Sequence, residues 1–424
     1  MLVKNLLTFL QMIMGRDSGA FLKKVNKILR EDPSYSTLRI LKAVLPLMKI
    51  DKLIKVNGMY YVNFTIPPIP SESFMTYLKS TRDKGNLFSQ HARLQKSAPA
   101  TMCLAVTDAC SYKCYYCSNE GKQRGNKLTT AEWINIIKDV QDMNTPVIFF
   151  TGGEALKRND LEELVSSIDK RSVSYLLTSG HGLTRERALS LKESGLFGIS
   201  VSLNSYLRET DNRLRGREDA FDNAVNALKT SVELGFFTSI VSVIPRDELK
   251  DTELFKLFDF SRSLGVREII LKEPIRTGRL YKTDKEIFYN DEDRKKLTQI
   301  QREANRRFKD FKVTSEVHVS TTDVFGCVAG IQHSYISSTG ELFPCDFAPL
   351  SFGNVREKSI KDLWNEMNTW IGKPNGKCLA EQAYYKLKEM GIESFPADKA
   401  VSCKICSELS TCEYPAFYRK LQGE

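Results

Sequence analysis

Residues 110–121 read CSYKCYYCSNEG, so three of the chain's ten cysteines, Cys110, Cys114 and Cys117, fall within eight positions. Thiols grouped this tightly read as metal ligands rather than as a disulfide framework, and they suit a reducing compartment. An iron–sulfur cubane takes four thiolates. Three leave one iron open, and an open metal position is where a substrate or cofactor binds, whereas closed sites are structural or carry electrons. The alternative is a zinc site with a distant fourth ligand, although zinc knuckles usually pair two Cys-x-x-Cys units.

A second group of cysteines lies far down the chain. CVAGIQHSYISSTGELFPC runs from Cys327 to Cys345, with four residues between Gly340 and the last cysteine, and CKICSELSTC gives Cys403-x₂-Cys406-x₅-Cys412. Cys103 sits in an apolar run and reads as a small buried hydrophobe. Cys378 falls in a loop-like stretch and receives no role. His91, His181, His318 and His333 show no metal spacing.

The elements that position these groups are legible as a rhythm. Residues 1–50 read as two or three amphipathic helices, and KLIKVNGMYYVNFTI as a hairpin turning at Asn57-Gly58. PPIPSES is a breaker and residues 80–100 an irregular connector. From there β-rich runs (102–107, 146–152, 173–179, 198–204, 237–243 and 266–272) alternate with helical patterns such as TAEWINIIKDVQDM and DAFDNAVNALKTSVELG. Six β/α units in series predict a parallel sheet covered by helices, wholly or partly closed into a barrel. Its working face is at the C-terminal strand ends, where Cys110, TGGEA, TSGHG and SLNS all fall. Residues 327–424 show few strong helices and several Gly/Pro breaks, which reads as a second metal-binding unit.

The Cys110-x₃-Cys114-x₂-Cys117 spacing, with Tyr116 before the last cysteine, resembles the radical S-adenosylmethionine (SAM) superfamily, and TGGEA matches that family's Gly-Gly-Glu element. The resemblance implies an α/β fold. A partial (β/α)₆ TIM-like barrel would occupy 96–310, preceded by a basic helical region with a hairpin over 1–95 and followed by a SPASM/Twitch-like iron–sulfur domain over 311–424. It implies a SAM-binding [4Fe–4S] cluster on Cys110, Cys114 and Cys117. Gly152, Gly153 and Glu154 would hold the methionine amino group, and Tyr116 would lie by the adenine. Thr178 and Ser179 would meet the ribose, Ser202 and Asn204 would close the fourth strand, and Arg215 would contact the carboxylate. Asn204 stands where the family often has Asp. The C-terminal cysteines resemble the SPASM extension, but the pattern breaks at Ala416 and no cysteine follows Cys412. That implies at least one auxiliary [4Fe–4S] cluster, ligated by Cys327 and Cys345 with two of Cys403, Cys406 and Cys412; zinc at the C-terminal trio is the alternative.

The resemblance further implies reductive cleavage of SAM to a 5′-deoxyadenosyl radical and hydrogen abstraction from a peptide or protein, with an electron donor such as flavodoxin or ferredoxin. Catalytic residues beyond the cofactor sites are not assigned. A second reading applies the same chemistry to a lipid or lipid-linked sugar at a membrane, and a third, from another class, is a non-catalytic Fe–S electron-transfer module. The net charge is +10, and residues 1–55 hold eleven basic and four acidic side chains, a net +7. This basic segment beside LLTFLQMIM suits an anionic bilayer surface or a solvated helix face. No aromatic-interleaved basic motif points to nucleic acid. The helices-before-hairpin order is the reverse of a leader-peptide-binding winged helix. No uninterrupted apolar run reaches about 18 residues, and the opening stretch is a poor signal peptide. The expected location is cytoplasmic, with peripheral contact at the inner membrane face through residues 1–50.

Overall fold

The computed structural model describes residues 2–49, 51–63, 66–83, 85–120, 125–283, 286–411 and 413–424. Three helices open the chain, α1 (Leu2–Met14), α2 (Arg16–Leu29) and α3 (Thr37–Leu47). A two-stranded hairpin follows, β1 (Ile54–Val56) and β2 (Met59–Tyr61), turning through Asn57 and Gly58, both with positive φ. This is the turn that Asn-Gly favours, because its twist matches that of paired strands.

Nine strands then form one open sheet. They are β3 (Thr101–Thr107), β4 (Val147–Gly152), β5 (Val173–Thr178), β6 (Gly198–Ser202), β7 (Phe237–Val243), β8 (Glu268–Lys272), β9 (Lys312–Ser315), β10 (His333–Ile336) and β11 (Leu342–Phe343). Their order is β11-β10-β3-β4-β5-β6-β7-β8-β9, and every pairing except β10–β11 is parallel. The six runs expected from sequence are β3 to β8. The sheet does not close: β9 and β11 are its two edges.

Strand alternation sorts the side chains onto two faces. Met102, Leu104, Val106, Ile148, Phe150 and Leu176 join the large core under the helices. Cys103, Ala105, Phe149, Tyr175 and Phe237 point to the other face and pack with Ile54 and Tyr61 of the hairpin. The Tyr61 ring stacks on Phe237 at 4.4 Å. The N-terminal hairpin therefore covers part of the face that the helices leave open.

Two expectations are corrected. The described residues of 327–424 carry four helices, Ile360–Ile371, Leu379–Glu389, Lys399–Leu409 and Ala416–Gln422; the Gly and Pro residues separate these helices instead of preventing them. The connector 80–100 contains a short helix, Leu87–Ala92. The segment after 310 is also sewn into the sheet, supplying β9 on one edge and β10 and β11 on the other. The C-terminal segment also packs against the short helix of the connector: the Gln422 amide donates to Ala92 O at 3.0 Å and the Tyr414 hydroxyl to Arg93 O at 3.1 Å.

Lys96 lies in this N-terminal packing, 1% exposed, with Nζ 2.6 Å from His91 Nδ1 and 4.2 Å from the Tyr77 ring centroid. Burial pulls its pKa down to about 7. Between that value and about 10.4 the unfolded chain binds a proton that the folded chain does not, so this residue makes stability rise with pH. In urea unfolding, the wild-type stability relative to Lys96→Met should rise from pH 7 to pH 9, by up to about 1.4 kcal/mol per unit. An unchanged difference would contradict the neutral buried amine.

Candidate functional site

The loop after β3 carries Cys110, Cys114 and Cys117 but no helix or strand of its own, so other elements must hold it. The turn after β4 does so first. Gly153 N–H donates to Thr107 O at 2.7 Å, and Glu154 N–H to Ala109 O at 2.8 Å. Gly152 has φ +131°, and a Cβ there would stand 2.0 Å from Thr107 O; one at Gly153 would stand 2.5 Å from both Asp108 O and Ala109 O. Two backbones touch here, and only glycine allows it.

Other anchors hold the middle and end of the loop. Tyr115 N–H donates to Leu214 O at 3.2 Å, and the Cys114 thiol lies 3.5 Å from Arg215 O. From the far side, Arg279 donates its backbone N–H to Cys117 O and its Nη1 to Cys114 O, both at 3.1 Å. The Gly278 backbone lies so close that a Cβ would come within 2.1 Å of Cys117 O. Nothing local in the sequence marks residues 278 and 279 for this task, because they meet the loop only through the fold.

Burial pushes the Cys114 thiol up to about 11, against the pull of Arg215; Cys117 and Cys110 both add to the rise. The three thiols thus feel one another. Among the described residues, no three Cys, His, Asp or Glu side chains converge as a single-ion site. A mononuclear zinc would need its sulfurs about 3.8 Å apart, from Zn–S bonds of about 2.3 Å. A cubane takes its thiolates at separate corners.

The remaining expected residues divide into two groups. Tyr116, Gly152, Gly153, Thr178, Ser179, Ser202 and Arg215 line the same large cavity as the three cysteines. Glu154 and Asn204, 2% and 5% exposed, stand behind its wall. Each Glu154 oxygen accepts twice: one from Thr178 Oγ1 (2.7 Å) and Leu156 N–H (3.2 Å), the other from Ser179 N–H (2.7 Å) and Oγ (2.5 Å). Its carboxylate clamps the end of β5 to the turn after β4. Asn204 Nδ2 donates to Tyr116 OH at 2.8 Å, while its Oδ1 accepts Val243 N–H at 2.9 Å, so it orients the tyrosine from behind.

Arg215 is fully buried. Its Nη1 donates to Asp211 and to Ala220 O, and its Nη2 donates to Ser179 O at 2.7 Å. Its Nε–H has no partner. An unpaired donor on a buried cation is costly unless an acceptor arrives.

The cavity measures about 1580 Å³ and also reaches Cys327, Cys345 and Cys378. Cys378 stands at the N-cap of the helix Leu379–Glu389 within electrostatic reach of Cys327, whose sulfur accepts Leu379 N–H at 3.4 Å. Cys345 Sγ accepts Ala348 N–H at 3.3 Å. Sequence alone leaves Cys378 without a role, because its partners lie 33 or more positions away. Cys403 and Cys406 lie one turn apart inside the helix Lys399–Leu409 and are buried in the apolar core, away from this cavity. Cys412 lies outside the described residues.

Residues 104–258 match the radical SAM superfamily, and residues 327–378 match an iron–sulfur cluster-binding domain, SPASM. An AdoMet-dependent heme synthase of Methanosarcina barkeri is 24% identical over 291 residues, covering 63% of this chain and 82% of that protein. A probable GTP 3′,8-cyclase of Saccharolobus islandicus is 32% identical over 185 residues, covering 42% of this chain and 58% of its own. Among solved structures, SuiB of Streptococcus suis bound to the precursor peptide SuiA has a TM-score of 0.54 at 18% identity, over 63% of this chain and 65% of SuiB. Native anSMEcpe with bound AdoMet has a TM-score of 0.53 at 16% identity, over 73% and 95%. The two structures share this fold. The first domain brings a [4Fe–4S] cluster and SAM, and the second brings auxiliary iron–sulfur clusters. The residues fit both: a thiol triad without a fourth cysteine, an unpaired buried guanidinium N–H beside it, and a second thiol triad set among backbone amides.

If the glycine contact holds the loop, Gly152→Ala should reduce iron bound after anaerobic reconstitution by about four atoms per chain, one cubane. Retention of the full iron complement would show that the loop stands without that contact.

Proposed function

We propose that this chain, a radical SAM enzyme with a C-terminal SPASM iron–sulfur domain, abstracts hydrogen from an extended peptide or protein segment lying in the cavity between its two cysteine triads. When bound, the first cluster with SAM supplies a carbon radical by reductive cleavage of SAM, and the auxiliary cluster supplies a one-electron acceptor.

The protein's own part follows from its residues. Cys110, Cys114 and Cys117 hold the first cluster. Arg215 sets a buried positive charge beside Cys114, which favours the anionic end of the cofactor there. Gly152 and Gly153 line that wall with backbone packed directly against the cysteine loop. Tyr116, fixed by Asn204, gives a flat face for a base.

The observation that carries the substrate reading is the cavity's length. His333 at the start of β10 pairs with Thr101 at the start of β3, and Tyr335 pairs with Phe343. This register sets Cys345, just after β11, near the beginning of β3, whereas Cys110 lies beyond its end. The seven residues of β3, at about 3.3 Å each, put the two ends of this wall on the order of 20 Å apart. An extended peptide covers this span with about six residues. The volume exceeds the roughly 300–1,000 Å³ of small-molecule pockets and has to hold cofactors as well. SuiB, which shares the fold, is described with a precursor peptide.

A second reading has its own observation. Val3, Leu7, Leu10 and Met14 of α1 are 71, 55, 41 and 78% exposed. They recur at helical spacing within the basic N-terminal segment, which suits docking on an anionic bilayer and a lipid-borne substrate. No helix among the described residues is long and apolar enough to cross a membrane.

The anaerobically reconstituted enzyme with SAM and a reductant should release 5′-deoxyadenosine, and the Cys110→Ala/Cys114→Ala/Cys117→Ala variant should release none. A rise in release with a peptide fraction of host extract favours the first reading, and a rise with the lipid fraction alone favours the second. No release from iron-replete wild type refutes both.

A further inference from the structure

The cavity continues past the cysteines to the segment just before β3, where the N-terminal and C-terminal parts of the structure pack together. The helix Ala416–Gln422 lies there against α3 and against the helix Leu87–Ala92. Leu29, Ile40, Leu78, Phe88, Leu94 and Leu421 line this arm, so its wall is apolar.

An amine stands among these side chains. Lys96 lines the cavity and is 1% exposed. Two helices supply the groups around it. Tyr77 of the helix Glu72–Lys79 has its ring centroid 4.2 Å from Nζ, and His91 of the helix Leu87–Ala92 has Nδ1 2.6 Å away. His91 Nε2 lies 2.9 Å from Leu78 O, a contact that needs the proton on that nitrogen, so Nδ1 is an acceptor. Burial, with Lys96 beside it, pulls His91 down to about 3, and the ring stays neutral.

Lys96 has no counter-ion among the described residues. Burial alone pulls its amine down to about 7, with no charged group acting on it. Arg82 reaches only the Lys96 carbonyl, at 3.4 Å. Carboxylates on the cavity wall are engaged elsewhere: Glu268 with Lys312, Glu273 with Arg294, Glu316 with Lys272 and Glu381 with Arg276. A fully buried lysine is normally paired, and an unpaired one gives up its proton. A carboxylate set against Nζ would return that proton and form a charge-assisted hydrogen bond. Methylene groups buried along the apolar wall would offset the desolvation of the acid.

We propose that this arm binds a long-chain carboxylate, with its acid group on Lys96 and its aliphatic chain along the apolar wall. The site uses neither cysteine group, so it goes beyond the function proposed above and stands or falls separately from it.

The test is isothermal titration of the full, anaerobically reconstituted chain at pH 8 with dodecanoate, kept below its micelle concentration. Saturable binding at a single site is expected. Proton uptake should accompany it, read from two buffers of different ionisation enthalpy, because binding converts a neutral amine to ammonium. Lys96→Met keeps the length of the side chain and should weaken binding by more than about tenfold, the loss of one charge-assisted hydrogen bond, and abolish the proton uptake. 1-Dodecanol and acetate, which lack the charge and the chain respectively, should each bind more than about tenfold more weakly than dodecanoate. Leu29→Trp fills the arm from its half-buried wall without altering Lys96, and should weaken dodecanoate binding even if Lys96→Met fails to fold. No binding, equal binding of 1-dodecanol, or dodecanoate binding unchanged by either variant overturns the proposal. Binding without proton uptake, as expected of dodecanoate lying on the exposed face of α1, overturns it as well.

Discussion

The start of the cysteine loop depends on one backbone contact. The cysteine loop leaves β3 without regular structure, and its first residues are fixed because the Gly152–Glu154 backbone lies directly against Thr107–Ala109. Glycine permits the approach, and Glu154 makes it rigid by spending both carboxylate oxygens on Thr178, Ser179 and Leu156. Ser179 in turn accepts Arg215 through its carbonyl. A single chain of hydrogen bonds thus runs from the cysteine loop across β4 and β5 to the buried guanidinium. Loss of any one link leaves a buried polar group unpaired, which costs more than the bond itself contributes.

The second organising feature is the return of the chain. β10 pairs in parallel with β3 across 232 positions, from Thr101 to His333. This brings Cys327, Cys345 and Cys378 to the cavity that the first cysteine group also lines. The hairpin β1–β2 covers part of the sheet's open face and leaves the rest as one long cavity. Both cysteine groups line this one cavity.

The six-strand rhythm and the Cys110–Cys117 motif were legible because both are local. Apolar strand runs alternate with amphipathic helices over short windows, and three metal ligands within eight residues need no tertiary information. The groups left unassigned are those defined by distant contacts. β9 and β11 have four and two residues and carry little pattern. Gly278 and Arg279 act on the loop through backbone groups that any residue possesses. Cys378 gains meaning only beside Cys327. The CKIC spacing resembled a metal knuckle, yet a helix puts those two thiols into the apolar core. Spacing in sequence says little about direction until the secondary structure that carries it is known.

The central claim is that both cysteine triads serve one cavity. Iron-edge anomalous diffraction from crystals of the anaerobically reconstituted enzyme tests it most directly. The account predicts two iron peaks on the wall of the same cavity, one against Cys110, Cys114 and Cys117 and one against Cys327, Cys345 and Cys378. A second peak beside Cys403 and Cys406, or iron at the first site alone, would contradict it.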